Sequence, residues 1–265
     1  MKVILFGDEL GLGIFEQTLI DKWNVCATVV SSTREAAIDK AHHLHKVYSI
    51  PFLTQPHKKN SKEVKTFLDR LRRFEPDLIF ANSYSRILSD KLLTIPRLGS
   101  FNVHAGLLPR YRGANIINWV LINGETEAGV TIHKITPTID TGPIILSRKI
   151  PIEFDDTVVS LREKLKEVAH QLVEDSVVLF EKEEFSLNPQ TEEEAGYWPR
   201  RKPEDGYFSW KWDELSIYNL IRALVHPWPG AFTIINGKKT IYDKFLSFEE
   251  VKRLKNEHCC SNTSA

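Results

Sequence analysis

Lys2-Val3-Ile4-Leu5-Phe6-Gly7-Asp8-Glu9-Leu10-Gly11-Leu12-Gly13 decides how this chain folds. An unbroken apolar run that stops at a glycine predicts a strand covered on both faces, because a half-exposed strand would alternate. Gly7, Gly11 and Gly13 then predict a tight turn into a helix over 10–22. The same punctuation repeats downstream. Strands are predicted at 25–31, 51–53 and 77–81, and helices at 33–47 and 60–74, with a helical turn at 89–93. Asn60 or Ser61 can cap the 60–74 helix, whose apolar face is Val64, Phe67, Leu68 and Leu71. Strands alternating with helices predict an α/β fold with a doubly wound, mostly parallel sheet. The glycines do not follow the Gly-x-Gly-x-x-Gly order, and no acidic ribose ligand follows the second strand. Dinucleotide redox chemistry is therefore not indicated.

Outward from that frame lies the stretch that carries chemistry. Phe101-Asn102-Val103-His104 alternates apolar and polar, so a strand there puts Asn102 and His104 on one face. Gly106 and Pro109 end the run, so His104 should stand at a strand end where a loop opens, the usual ligand position in open α/β sheets. Further on, Ile139-Asp140-Thr141-Gly142 reads as a turn between two strands, at 129–135 and 143–150. An amide, an imidazole and a carboxylate suit acyl transfer to an amine. The amide can donate to the developing oxyanion, and losing such a donor costs about 3–4 kcal/mol of barrier. An imidazole can take a proton from the amine and return one to the leaving nitrogen, worth roughly a hundredfold to ten-thousandfold. A carboxylate beside it raises the imidazole pKa. Neither a metal nor a covalent enzyme intermediate is required. Taken singly, each residue is more often a satisfied strand-end or turn residue. The ordered set, with Leu107-Leu108-Pro109, Tyr111-Arg112-Gly113 and Asp140-Thr141-Gly142, outweighs that reading.

The remaining chain predicts helices at 115–122 and 157–182, a polar linker at 188–196, and a helix at 213–225. A β-hairpin over 232–245 turns at Asn236-Gly237. A last helical turn is expected at 248–254, and a frayed polar end at 257–265. His133, in an apolar strand, reads as structural. His226 reads as a turn residue, and His42, His43 and His45 as a solvated helix face. For Trp228, packing in a Pro-rich turn is favoured over stacking on a base. The domain division expected is a catalytic domain at 1–187 and a short C-terminal region at 188–265.

With 35 basic and 35 acidic side chains, the 265-residue chain has zero formal charge, which speaks against binding polyanions through general electrostatics. Three cysteines without an even, spaced framework (Cys26, Cys259, Cys260) point to a reducing cytoplasm rather than to disulfides. A zinc site at Cys259-Cys260 is not expected. The start lacks the features of a signal peptide, and no apolar run reaches spanning length, so no membrane partner is expected.

From Lys2 to about Phe245 the chain resembles the folate-dependent formyltransferases, and most closely the sugar N-formyltransferases. The matches include Pro76-Asp77-Leu78-Ile79-Phe80, Tyr84-Ser85-Arg86-Ile87-Leu88, Gly129-Val130-Thr131-Ile132-His133, Arg200-Arg201-Lys202-Pro203-Glu204-Asp205-Gly206 and Pro227-Trp228-Pro229-Gly230-Ala231. The resemblance implies a Rossmann-like formyltransferase fold with a short C-terminal extension. It implies 10-formyltetrahydrofolate as formyl donor, with no metal. Asn102 would stabilise the oxyanion, His104 would move the proton, and Asp140 would tune His104. The folate would lie along Arg86, Ile87 and Leu88 and along Thr136, Pro137, Thr138 and Ile139 up to Asp140, near Ala114. Ala114 stands where aminoarabinose-modifying members carry arginine, which makes that sugar a less certain acceptor. Tyr84, Tyr111 and Arg112 are candidate substrate contacts; for Tyr111 and Arg112, in the loop after His104, contact with a substrate or diphosphate and packing within the loop are equally expected.

The implied acceptor is a nucleotide-linked amino-deoxy sugar, preferably dTDP-4-amino-4,6-dideoxyglucose, for lipopolysaccharide O-antigen or other surface polysaccharide. The implied assembly is a homodimer, paired through the 232–245 hairpin. Two rivals remain. One is a methionyl-tRNA formyltransferase, disfavoured by neutral charge and by the roughly twenty residues after Phe245. The other is a non-catalytic folate- or nucleotide-binding regulator, disfavoured by the intact polar set.

Overall fold

The structure is a computed structural model that describes residues 1–57 and 62–260. In chain order its elements begin β1 (Lys2–Gly7), α1 (Glu9–Thr18), β2 (Asn24–Ser31), α2 (Glu35–Tyr48), β3 (Phe52–Gln55), α3 (Lys62–Arg73), β4 (Leu78–Asn82), α4 (Asp90–Leu93) and β5 (Gly99–His104). They continue β6 (Arg112–Gly113), α5 (Ile116–Ile122), β7 (Glu127–Lys134), β8 (Ile144–Pro151) and α6 (Val158–Lys182). The last are β9 (Tyr197–Trp198), α7 (Glu214–Arg222), β10 (Ala231–Ile235), β11 (Lys238–Tyr242) and α8 (Phe248–Cys260). The chain divides into two compact units. One holds residues 1–110, 130–148 and 166–195; the other holds 111–129, 149–165 and 196–265.

The main sheet has the order β3-β2-β1-β4-β5-β7-β8. Its first five strands run parallel, and β7 runs antiparallel to β5. This is the doubly wound, mostly parallel sheet expected from the alternating pattern. The strand order reverses between β1 and β4, so the ends of those strands form a switch-point crevice. Backbone fills part of it. A Cβ on Gly11 would stand 2.1 Å from the Asn82 carbonyl oxygen. Only glycine lets α1 start that close to β4, so Gly11 serves packing.

Alternation along the strands separates two cores. Ile4, Phe6, Ile79 and Ala81 join Phe67, Leu68 and Leu71 of α3 in one buried cluster, with Leu53 and Leu88. Phe80 and Phe101 face the other way. Phe80 lies 5.1 Å from Phe15, and Phe101 lies 4.8 Å from Phe180. A fully buried phenyl ring contributes roughly 1.5–3 kcal/mol over leaving it exposed, so these faces hold the sheet.

Three expectations needed correction. The first helix was predicted to reach Lys22 but ends at Thr18. The N–H groups of Lys22 and Trp23 both turn back to the Leu19 carbonyl, at 3.0 and 2.9 Å. That turn delivers Trp23 against Phe80 and Phe180, so tertiary packing sets the stop. The C-terminal helical turn is instead a 13-residue helix running to Cys260. Ser247 and Glu250 form a reciprocal cap, and Val251 is fully buried, so 257–260 is helical rather than frayed. The 188–196 segment is anchored: Asn188 bridges to Ile144 of β8. The Asn60 and Ser61 caps lie outside the described residues, as do 261–265 and the side chains of Cys259 and Cys260. The hairpin turns where expected, with Asn236 and Gly237 at φ 51° and 74° in the left-handed region.

Candidate active site

The site grows from the register of two strands. In the antiparallel pair, Asn102 stands opposite His133 and His104 opposite Thr131. A period of two turns Asn102 and His104 to the same face, and the register turns His133 to it as well. Asn102 Nδ2 lies 3.3 Å from His133 Nε2. The other nitrogen of His133, Nδ1, lies 3.0 Å from the Lys134 carbonyl oxygen. A carbonyl only accepts, so Nδ1 carries a proton, and Nε2 of the neutral ring can accept from the Asn102 amide. The second amide N–H of Asn102 remains as a donor. Below His104, the fully buried Thr131 hydroxyl donates to the Gly106 carbonyl at 2.7 Å and accepts from the Leu108 N–H at 3.3 Å. Thr131 thereby fixes the loop that leaves the strand at His104.

Asp140 reaches the same face from the turn between β7 and β8. Its Oδ2 lies 3.7 Å from His104 Nδ1, and its Oδ1 lies 3.5 Å from His133 Nε2. These are ion-pair separations, longer than direct hydrogen bonds. The side chains of His104, His133 and Asp140 are 8, 2 and 12 % exposed, so little water screens them. The Asp140 carboxylate thus stands between the two imidazoles.

The turn is built to aim that carboxylate. Asp140 has φ 54°, a left-handed conformation that aspartate tolerates better than most residues. A Cβ on Gly142 would stand 1.8 Å from the Lys134 carbonyl oxygen, so the chain closes only with glycine there. The Thr136 and Thr141 hydroxyls lie 3.0 Å apart across the turn. From outside it, the Gln190 side-chain amide donates to the carbonyls of Asp140 and Gly142, at 2.8 and 2.7 Å.

The structure thus brings Asn102, His104 and Asp140 together and adds two residues that the sequence reading did not place there. His133 was read as structural because it lies in a largely apolar strand. Its opposition to Asn102 follows only from the β5–β7 register. Gln190 sat in an apparent linker, and nothing local marks it.

The other predicted positions distribute as follows. Ile87 is 69 % exposed and Ile139 is 42 % exposed, apolar side chains left uncovered on two segments of the first unit. Pro137 and Thr138 are exposed too. Leu88 is 5 % exposed and packs in the core, so only its backbone can face a ligand. The Arg86 guanidinium donates to the carbonyls of Pro56 and His57, at 2.9 and 3.2 Å. Tyr84 packs edge-on against Phe6 and donates its hydroxyl to Gln55, and burial pushes its pKa up. In the second unit, Tyr111 is buried, stacks on Trp198 and donates to Glu125 at 2.7 Å. Arg112 is buried in β6, which pairs with β9, and the Ala114 N–H donates to the Trp198 carbonyl. Among the described residues, no group of His, Cys, Asp and Glu has metal-ligating geometry. No helix described is long and apolar enough to cross a membrane.

Comparison with known proteins identifies the family and the fold. Residues 1–177 match the formyl transferase family, and residues 200–261 match the formyl transferase C-terminal domain. A bifunctional polymyxin resistance protein, ArnA, from Wigglesworthia glossinidia brevipalpis is 43 % identical over 195 residues, covering 73 % of this chain. The chain spans only 30 % of that relative's length in this match. Among solved structures, a 4-N formyltransferase from Francisella tularensis aligns at TM-score 0.75 and 19 % identity, over 93 % of this chain and 98 % of its own. WlaRD, a sugar 3N-formyl transferase solved in the presence of dTDP and 5-N-formyl-THF, aligns at TM-score 0.66 and 19 % identity, over 90 % and 84 % of the two chains.

Proposed function

The chain belongs to the formyl transferase family, and on that premise we propose that it transfers a formyl group from 10-formyltetrahydrofolate to the amino group of a nucleotide-linked amino-deoxy sugar. The observation that carries this reading is the convergence of Asn102, His104 and Asp140 on one buried face at the end of β5. The sugar reading draws support from the 4-N and 3N sugar formyltransferases that share the fold. A folate donor draws support from WlaRD, which shares the fold and was solved in the presence of 5-N-formyl-THF. A preferred acceptor is dTDP-4-amino-4,6-dideoxyglucose, which would feed surface polysaccharide.

When bound, the donor supplies an electrophilic formyl carbon next to a nitrogen that can leave. The protein supplies the rest. The free N–H of the Asn102 amide donates to the oxygen of the attacked carbon, where negative charge grows. His104 takes the proton released by the attacking amine and gives one to the departing nitrogen as the old carbon–nitrogen bond breaks. Asp140 stabilises the imidazolium between those events. His133 holds the Asn102 amide in position, and Gln190 holds the Asp140 turn.

The test follows tetrahydrofolate release with 10-formyltetrahydrofolate and a panel of dTDP- and UDP-linked amino sugars. At least one acceptor should turn over. His104→Ala should cut kcat by about a thousandfold, the product of losing proton transfer and its geometry, while the fold stays intact by circular dichroism. No turnover on any acceptor rejects the sugar reading. Wild-type turnover in His104→Ala removes His104 from the mechanism.

A further inference from the structure

Asn102, His104, His133 and Asp140 all belong to the first unit, and one contact among them depends on a proton. The His133 side chain is 2 % exposed. Its Nδ1 donates to the Lys134 carbonyl at 3.0 Å, which leaves Nε2 as the ring atom that can gain or lose a proton. Two groups stand at Nε2: the Asn102 amide nitrogen at 3.3 Å and Asp140 Oδ1 at 3.5 Å. The titratable groups facing the ring are Asp140, from the turn, and His104, from β5, whose ring centre lies 6.1 Å away. Lys134 follows His133 in the strand and takes the opposite face, where its Cε lies 3.3 Å from the place of a Cβ on Gly99. On the near side, β4 places Ala81 beside Asn102, β8 places Ser147 against Thr131, and α3 contributes Phe67, Leu68 and Leu71. None of these carries charge.

With Nε2 bare, the Asn102 amide turns its nitrogen toward the ring and keeps its second N–H as a donor. A proton on Nε2 reverses the contact. Two N–H groups then face one another, and the new N–H points at a carboxylate oxygen of Asp140 instead. Asn102 relieves the clash by turning its amide over, which puts the oxygen where the donor nitrogen stood. An oxygen there repels the negative charge that formyl transfer develops. Asp140, whose Oδ2 stands 3.7 Å from His104 Nδ1, is then shared between two rings that can both be cationic.

We infer that His133 is a positioning residue that acts as a proton gate. Its neutral ring, protonated at Nδ1 alone, holds Asn102 as an oxyanion donor, and a second proton at Nε2 switches that donor off. The inference rests on the proposed formyl transfer and deepens it, since it makes the oxyanion donor itself depend on pH. Its first test needs no turnover.

NMR of the full chain labelled with heavy nitrogen reads the gate without substrate. At about pH 8 the His133 ring should carry its proton on Nδ1 and show a bare Nε2. On acidification the Asn102 side-chain amide signals should move in step with protonation of His133; His133→Gln and Asn102→Ala assign the two sets. In turnover, His133→Phe removes the acceptor and should lower kcat about a hundredfold with KM within about threefold, as for a donor used in the transition state. His133→Gln puts an acceptor oxygen that does not titrate near the place of Nε2, and should keep kcat within about tenfold. The acid limb of its kcat should be one proton shallower than that of the wild type, a gap that widens about tenfold per pH unit. A neutral His133 ring with its proton on Nε2 overturns the inference. So does an Asn102 amide that ignores protonation of His133, or a ring that stays neutral until the protein unfolds. Wild-type kcat in His133→Phe, or equal acid limbs in the wild type and His133→Gln, also overturns it. If His133→Phe does not fold, the NMR titration and the His133→Gln profile decide. Coupled signals without formylation of any amino sugar uphold the gate and reject the proposed activity. Turnover with Asn102 and His133 uncoupled upholds the activity and rejects the gate.

Discussion

At the scale of residues, the candidate site joins an imidazole beside Asp140, His104, to a second imidazole, His133, that holds the Asn102 amide. Asn102, His104 and Asp140 were legible because amide, imidazole and acid occur in a fixed order among turn-forming residues. His133 was not, since a histidine flanked by Ile132 and Lys134 carries no local sign of its partner. The antiparallel register supplies the partner by setting His133 opposite Asn102. Gln190 is a purely tertiary contribution, fifty residues from the turn it supports. Because Gln190 holds two carbonyls of the Asp140 turn, Gln190→Ala should lower kcat about tenfold to a hundredfold through loss of aim, while overall stability changes by about 1–2 kcal/mol. The conservative Gln190→Asn is too short to span both carbonyls and should not restore kcat. Unchanged kcat in Gln190→Ala would show that the turn holds its shape unaided.

At the scale of elements, strand and helix order followed from punctuation by glycine and from period, and element ends did not. Gly11 and Gly13 illustrate the limit. Both lie in α1, two positions apart, and look alike in the sequence. A Cβ at Gly11 would collide with the Asn82 carbonyl, whereas at Gly13 it would meet nothing within 4 Å. Gly13→Ala should therefore stabilise the protein by about 0.5–1 kcal/mol through helix propensity. Gly11→Ala should destabilise it by about 1–3 kcal/mol, since backbone must move. Urea midpoints decide this, and equal shifts for the two variants would contradict the packing account. The end of α1 at Thr18 and the length of α8 were likewise decided by contacts: Trp23 against Phe80 and Phe180, and Val251 in the core.

At the scale of the whole molecule, acid stability should fall in two stages. Burial lowers the His170 pKa below its ordinary 6.5, opposed chiefly by Glu167. The folded protein then binds fewer protons than the unfolded chain, so stability is full above pH 6.5 and declines as pH falls through the window below it. Asp156 behaves differently. Burial pushes its pKa up, but Lys164, Ser160 and the Glu153 N–H outweigh burial and hold it below 3.8. Its contribution is present above 3.8 and is lost as pH falls through the depressed folded value. Urea unfolding at pH 7.5, 5.5 and 3 should show both stages. His170→Gln should flatten the first, and Asp156→Asn should shrink the second while costing about 1–3 kcal/mol at neutral pH. A wild-type first stage in His170→Gln would assign the loss to other groups.

The sequence by itself determined the doubly wound sheet and the hairpin at Asn236-Gly237, and it singled out the three polar residues proposed for the site. Each depends on short-range rules: period, turn chemistry and residue type. The tertiary structure alone decided that His133 faces Asn102, that Gln190 holds the Asp140 turn, and where α1 stops and α8 ends. Those outcomes depend on register and packing between segments far apart in the chain, and no local pattern encodes which distant atoms will arrive.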